Sequence, residues 1–218
     1  MARGAEAASC GTSAAGFDAW KSAFAEEARA KGIGEAGISA LMATHYNTAT
    51  IAADRGMRSF HLSLQAFMAK RGGPAIASRG RRLKLSNAEL FSSIESQYGV
   101  PPGPLIAIWG METGFGSQHG NQQALSATAT LAYDCRRPEF FTDQLYAALK
   151  LVDAGRMSLE TRGAMQGEIG QTQFLPKTTN SIFHAISCSR WKRCSLETAA
   201  ISYAPKKNGT PMSSRMAR

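Results

Sequence analysis

Residues 101–116 read PPGPLIAIWGMETGFG, and the rest of the chain can be read outward from them. Pro101, Pro102 and Pro104 suit a helix entrance, because proline fits the first turn and presets its φ. Leu105, Ile106, Ile108 and Trp109 form the most apolar short run in this half of the chain. Glu112 follows one turn past Ile108. Gly114 and Gly116 stop the helix, since glycine enters left-handed geometry at little cost. The pattern predicts a carboxylate at the end of a buried helix. Desolvation and the negative end of the helix dipole both favour the neutral acid in such a place. An acid kept protonated near neutrality suits general acid catalysis. On spacing alone, a helix-end glutamate that reaches solvent is the commoner outcome, so other motifs must decide.

The second informative stretch is GAMQGEIGQTQFLP, residues 163–176. Gly163, Gly167 and Gly170 allow tight turns and close backbone approach to a ligand. Gln171 and Gln173 offer neutral amides suited to hydroxyl and acetamide groups. Phe174 and Leu175 are expected to anchor the segment and Pro176 to end it. Alone, this stretch also fits a solvent loop.

Taken in order, GMETGFGS (110–117), LAYDCRRPEFF (131–141) and GEIGQTQFLP (167–176) closely resemble the membrane-bound lytic murein transglycosylase B family. The resemblance covers roughly residues 17–176 and is specific because several motifs recur in order and spacing. It implies an all-α, lysozyme-like, irregular helical catalytic domain. It also implies cleavage of the β-1,4 bond between N-acetylmuramic acid and N-acetylglucosamine in peptidoglycan, leaving 1,6-anhydromuramoyl ends without addition of water. By the resemblance Glu112 is the single catalytic acid and then base. The substrate's own acetamide would stabilise the intermediate, so no second carboxylate is demanded as in ordinary glycosidases. Gln173 matches a substrate-contacting glutamine, and Gly167, Gly170 and Gln171 would line the same cleft. Glu168 is assigned a structural or rim role. Asp134, Arg136 and Arg137 are expected to pair within the fold. Ala164 stands where some relatives have a serine that contacts the catalytic glutamate.

The remaining sequence is helical in pattern. Phe17, Trp20, Phe24 and Ala28 recur at helical spacing before Gly32. Residues 35–44 and 47–54 predict short helices. Ser59 is a candidate cap for a helix carrying Leu62, Leu64, Phe67 and Met68 and ending at Gly72-Gly73. A helix from near Pro74 carries Arg79, Arg81, Arg82 and Lys84, a pattern usual for a solvated face. Ser86 and Glu89 have capping-box spacing ahead of a helix expected to bury Leu90, Ile94 and Tyr98. Residues 121–133 form a threonine-weakened helix, and Pro138 opens one burying Phe141, Leu145, Leu149 and Val152. No strand alternation, hairpin signal, phosphate loop or internal repeat is evident.

The formal charge of +9 predicts attraction to polyanions, including nucleic acid, anionic lipid and the acidic bacterial wall. Aromatic residues do not interleave with the basic ones, and no RNA-binding or zinc-finger signature occurs. Charge supports a polyanion without choosing one; the family resemblance implies peptidoglycan glycan strands as the partner, with cell-wall synthesis or turnover proteins as further partners and nucleic acid not expected. A monomer without cofactor or metal is expected. Among four cysteines, Cys10–Cys135 could tie the N-terminal arm to the body, although sequence does not fix the pairing. His184, Cys188 and Cys194 match no standard zinc spacing.

Residues 1–16 read as a disordered leader or the remnant of an export region, with no intact signal peptide. By family resemblance the expected location is the periplasm or cell envelope. Residues 17–176 are expected to form the catalytic domain, incomplete on its C-terminal side, and 177–218 a divergent basic tail. That tail holds eight Lys/Arg and a single acid, Glu197. It lacks the S-S-Y and late Y-N motifs of the family, so the alternative is a catalytically impaired, peptidoglycan-binding relative. A hydrolytic muramidase would need a second carboxylate, with Glu168 the nearest candidate in these motifs. A nucleic-acid-binding protein would show steep salt dependence.

Overall fold

The computed structural model describes residues 9–56 and 62–188, with side chains to residue 183. Ser59 and residues 189–218 of the basic tail, Cys194 among them, lie outside the described residues, as do the side chains of His184 and Cys188. Ten α-helices are formed among the described residues: α1 (Phe17–Ala30), α2 (Glu35–Met42), α3 (Thr48–Arg55), α4 (Leu64–Lys70), α5 (Gly73–Ser86), α6 (Ala88–Tyr98), α7 (Pro102–Thr113), α8 (Ala124–Tyr133), α9 (Pro138–Asp153) and α10 (Pro176–Cys188). The all-α expectation holds. The one addition is a pair of two-residue strands, β1 (Gln122–Gln123) and β2 (Arg162–Gly163), antiparallel with Gln122 opposite Gly163. Two residues are too few to show alternation in sequence.

Two apolar clusters organise these helices. The larger joins α1, α2, α8 and α9 through Phe17, Trp20, Phe24, Leu41, Leu125, Leu131, Phe141, Leu145 and Leu149. Helix α8 lies at its centre, with all ten of its residues buried. A fully enclosed helix must satisfy its polar side chains internally. Thr128 donates to Ala124 O at 2.9 Å, and Thr130 Oγ1 accepts from Asn47 N at 2.9 Å. The threonines that weaken the intrinsic helix thus tie it to α3 and to itself. Asn47 also caps α3, its side chain accepting from Thr50 N.

The smaller cluster holds Phe91, Ile106 and Phe115, with Ile76, Leu83, Ile94 and Trp109 packed against it. It draws together α5, α6 and α7. Gly80 and Gly110 permit the close crossing of α5 and α7. A Cβ on Gly80 would stand 2.7 Å from Ile106 Cγ2, and one on Gly110 would stand 2.7 Å from Phe115 Cζ.

Several local expectations are corrected. Ser63, not Ser59, caps α4, accepting from Ala66 N, so Leu62 precedes the helix. The capping box at Ser86 and Glu89 does not form. Ser86 ends α5 and donates back to Leu83 O, while Asn87 enters α6 without a side-chain cap. That helix buries Phe91 and leaves Leu90 46% exposed. Pro176 begins a helix, because proline at the first position lacks only a donor the helix does not use. Helix α10 packs on α9, where Lys177 N donates to Gln144 Oε1 at 2.9 Å. It therefore runs through the composition shift at residue 177.

Cys10 and Cys135 form a disulfide. Beside it, Gly11 N donates to Tyr133 O at 2.9 Å. The N-terminal arm is thus fastened to the end of α8 just ahead of α1.

Candidate active site

Helix α7 ends as its sequence predicts. Gly114 takes φ +54°, and Phe115 and Gly116 follow at positive φ. The helix is not buried all round, however. Ile106, Gly110 and Thr113 face the interior, whereas Ile108 is 51% exposed and Glu112 lies exposed one turn beyond it. The expectation of a buried helix is therefore corrected, and Glu112 reaches solvent, the outcome that its spacing alone favoured. Residues 108 and 112 share a helix face, and the small cluster covers only the opposite side. The Glu112 carboxylate makes no ion pair or hydrogen bond among the described residues. It stands exposed on the last turn of α7.

The loop 163–176 is folded tightly against this end. Ile169 and Phe174 exchange backbone hydrogen bonds at 2.9 and 3.1 Å, closing the turn that holds Gly170, Gln171 and Gln173. Gly170 takes φ +77° and Gln173 φ +49°. Gln173 Nε2 donates to Gly170 O at 2.8 Å, which supports this left-handed glutamine. Gly167, at φ +89°, has its Cα pressed onto α8, where a Cβ would stand 3.0 Å from Ala124 O. Glu168 Oε2 accepts from Gln166 N at 3.0 Å and Glu168 O from Ala164 N at 2.9 Å. Glu168 therefore shapes its own turn.

Gln171 links the loop to α7. Its Oε1 accepts from Trp109 Nε1 at 2.6 Å, and its main-chain oxygen accepts from Thr113 Oγ1 at 2.8 Å. Trp109 and Thr113 flank Glu112 by three residues and one. The two motifs read separately in the sequence are thus brought into contact. Trp109 belongs to the smaller cluster and Ile169 packs on the larger, so the loop braces one core against the other.

Behind the loop lies a charged layer. Asp54, 3% exposed, pairs with both Arg136 and Arg137. Asp134 pairs with Arg55 at 2.7 Å and accepts from Arg136 N at 2.9 Å. The expected structural role of Asp134, Arg136 and Arg137 is met, with Asp54 and Arg55 as partners that sequence order did not reveal. Thr113 and Trp109 were likewise missed as builders of the site. A threonine beside a glutamate carries no periodic signal of its own.

Residues 16–186 match the family model described as the transglycosylase SLT domain. The chain belongs to this family. Within it, SltB3 of Pseudomonas aeruginosa, solved in complex with NAG-NAM-pentapeptide, is similar at 34% identity and a TM-score of 0.70. That alignment covers 76% of this chain and 45% of SltB3. A second SltB3 structure, in complex with NAG-anhNAM-pentapeptide, matches at a TM-score of 0.69 and 34% identity over 76% of this chain and 44% of that one. The membrane-bound lytic murein transglycosylase B of Escherichia coli (strain K12) is 36% identical over 83 residues, 37% of this chain and 23% of the relative. This SLT-domain chain therefore spans less than half the length of these relatives. The Escherichia coli lytic transglycosylase Slt35, at 21% identity and a TM-score of 0.65, shares the fold over 74% of this chain and 53% of its own.

Proposed function

We propose that the protein is a peptidoglycan lytic transglycosylase with Glu112 as its single catalytic acid and base. The observation that carries this is the exposed Glu112 carboxylate on the pinned end of α7, beside the turn that bears Gln171 and Gln173. Family membership and the sugar-peptide complexes of SltB3 support the substrate class.

In this mechanism the protonated Glu112 gives its proton to the glycosidic oxygen as the bond to muramoyl C1 breaks. The substrate acetamide stabilises the electron-poor C1. Glu112, now a carboxylate, takes the proton from the muramoyl C6 hydroxyl while that oxygen bonds to C1. The enzyme returns to its starting protonation state and no water is consumed. Gln173 keeps its Oε1 for a sugar donor, because its Nε2 is spent on Gly170 O. Gln171 has the reverse division: its oxygen is held by Trp109, which leaves its Nε2 as the donor for a sugar acceptor. Gly170 lets the backbone approach the glycan closely, and Gly167, seated on α8, sets the turn that would line the cleft. Residues 17–176 supply these parts and form the catalytic domain.

The Cys10–Cys135 disulfide fits an oxidising compartment, and the charge of +9 fits an acidic wall. Both support a location in the cell envelope. The test is digestion of intact peptidoglycan with mass spectrometry of released muropeptides, beside a Glu112→Gln control. Anhydromuramoyl products that vanish in the control are expected. Reducing-end products would replace lytic chemistry with hydrolysis. No product from a folded protein would leave peptidoglycan binding without turnover as the function.

A further inference from the structure

Thr113 is fully buried, at 0% exposure, yet it is the residue next to the exposed Glu112. Its hydroxyl is used in both directions. It donates to Gln171 O at 2.8 Å and accepts from Gly116 N at 3.0 Å. Its carbonyl accepts from Ser117 N at 2.9 Å and Gln118 N at 2.8 Å. One side chain therefore joins the last turn of α7, the Gly-rich reversal after it and the 163–176 loop. Trp109 adds a second tie to the same Gln171, so the residues at both sides of Glu112 are pinned to one point. Gly116 completes the fit, since a Cβ there would stand 2.9 Å from Gln171 Oε1.

A catalytic carboxylate with no partner among the described residues must take its position from its backbone. We infer that Thr113 is a positioning residue for Glu112, its hydroxyl fixing the catalytic turn against Gln171. This rests on the proposed lytic activity. The hydroxyl is poorly explained as stability alone. A buried valine of the same shape would fill its space without demanding partners, while the two shorter of its three contacts, to Gln171 O and Gly116 N, lie at the junction of the motifs and only the 3.4 Å contact to Trp109 O stays within the helix. Misplacing a catalytic group by a fraction of its reach slows the chemical step more than it weakens binding.

The test compares Thr113→Val, which keeps the shape and loses the hydroxyl, with Thr113→Ser, which keeps the hydroxyl. Turnover and KM are measured on peptidoglycan, together with amide hydrogen exchange at Gly116. The valine variant should lose roughly 10- to 100-fold in kcat with KM within about twofold. Its Gly116 amide should exchange faster. The serine variant should recover most of both. Trp109→Phe, which removes only the indole donor to Gln171, should lower kcat in the same direction and serves if the valine variant does not fold. A folded valine variant with unchanged kcat would overturn the inference, as would a serine variant no better than valine. Loss confined to KM would assign Thr113 to substrate binding instead. A folded but inactive wild type would bring down the lytic proposal itself, a result distinct from any of these.

Discussion

Gln166 Nε2 lies 3.1 Å from Asp54 Oδ1, so the Gly-rich loop is tied to a buried carboxylate 112 residues earlier in the chain. Asp54 also neutralises Arg136 and Arg137. Asp54→Asn would keep an acceptor for Gln166 and remove the negative charge that faces both guanidinium groups. Breaking a fully buried pair costs about 3–5 kcal/mol. Here the arginines are 48% and 39% exposed, so water partly compensates. A loss of about 2 kcal/mol is expected by urea denaturation. A change within about 0.5 kcal/mol, the usual range for surface sites, would mean the pairs are screened away.

The extent to which this was legible in sequence follows from the kind of signal each part leaves. Helix ends at Gly99, Gly114 and Gly155 were readable, because a positive φ after an apolar run is a local demand. Helix α9 was readable from Phe141, Leu145 and Leu149 at one face. The two motif stretches could be found, but their joining could not. Thr113 and Gln171 meet across 58 residues, and no spacing rule announces a side chain bonding to a distant carbonyl. The burial of α7 is overstated by its sequence for a related reason. An apolar run of Leu105, Ile106 and Ile108 around a helix suggests burial on all sides, but only the Ile106 side meets a core among the described residues. The Ser86–Glu89 spacing failed because the bend between α5 and α6 centres on Asn87, which donates to Leu83 O at 2.9 Å.

The Cys10–Cys135 bond closes a loop of 125 residues. Chain-entropy arguments place its stabilisation near a ceiling of ~5 kcal/mol, with about 2–5 typical when a native bridge is removed. Thermal denaturation with and without reductant should show a clear fall in Tm. Cys135→Ser should reproduce that fall and then be insensitive to reductant. Equal Tm in both conditions would show that Gly11 and the Phe17–Trp20 packing hold the arm unaided.

Tyr146 hydrogen-bonds Glu27 Oε1 at 2.8 Å. Burial, followed by this carboxylate, raises its pKa from the ordinary 10.0 to about 12. Glu27 is held below its ordinary value chiefly by its hydrogen bond from Lys31. For Tyr146 the folded state keeps its proton where the unfolded state has released it. Its contribution is complete below pH 10 and is lost as pH rises through about 12. The urea midpoint should therefore fall between those values, and Tyr146→Phe should flatten this limb. Glu27 has the opposite sign, its contribution being lost as pH falls through its lowered value. An alkaline limb identical in Tyr146→Phe would assign the titration to another tyrosine.

Gly167 and Gly170 form an internally controlled pair. Both take left-handed φ, +89° and +77°, so alanine at either carries the cost of that geometry, about 1–2 kcal/mol. Their surroundings differ. A Cβ at Gly170 meets nothing within 4 Å, whereas one at Gly167 runs into the Thr128 hydroxyl and the Ala124 carbonyl. Both obstacles belong to α8, whose residues are all buried and have little room to yield. Overpacking of such a site adds about 1–3 kcal/mol. Gly167→Ala should thus lose roughly 2–4 kcal/mol in chemical denaturation and Gly170→Ala about half as much. Equal losses would mean that the loop can lift from α8 at no cost, and that the close approach at Gly167 does not hold the turn in place.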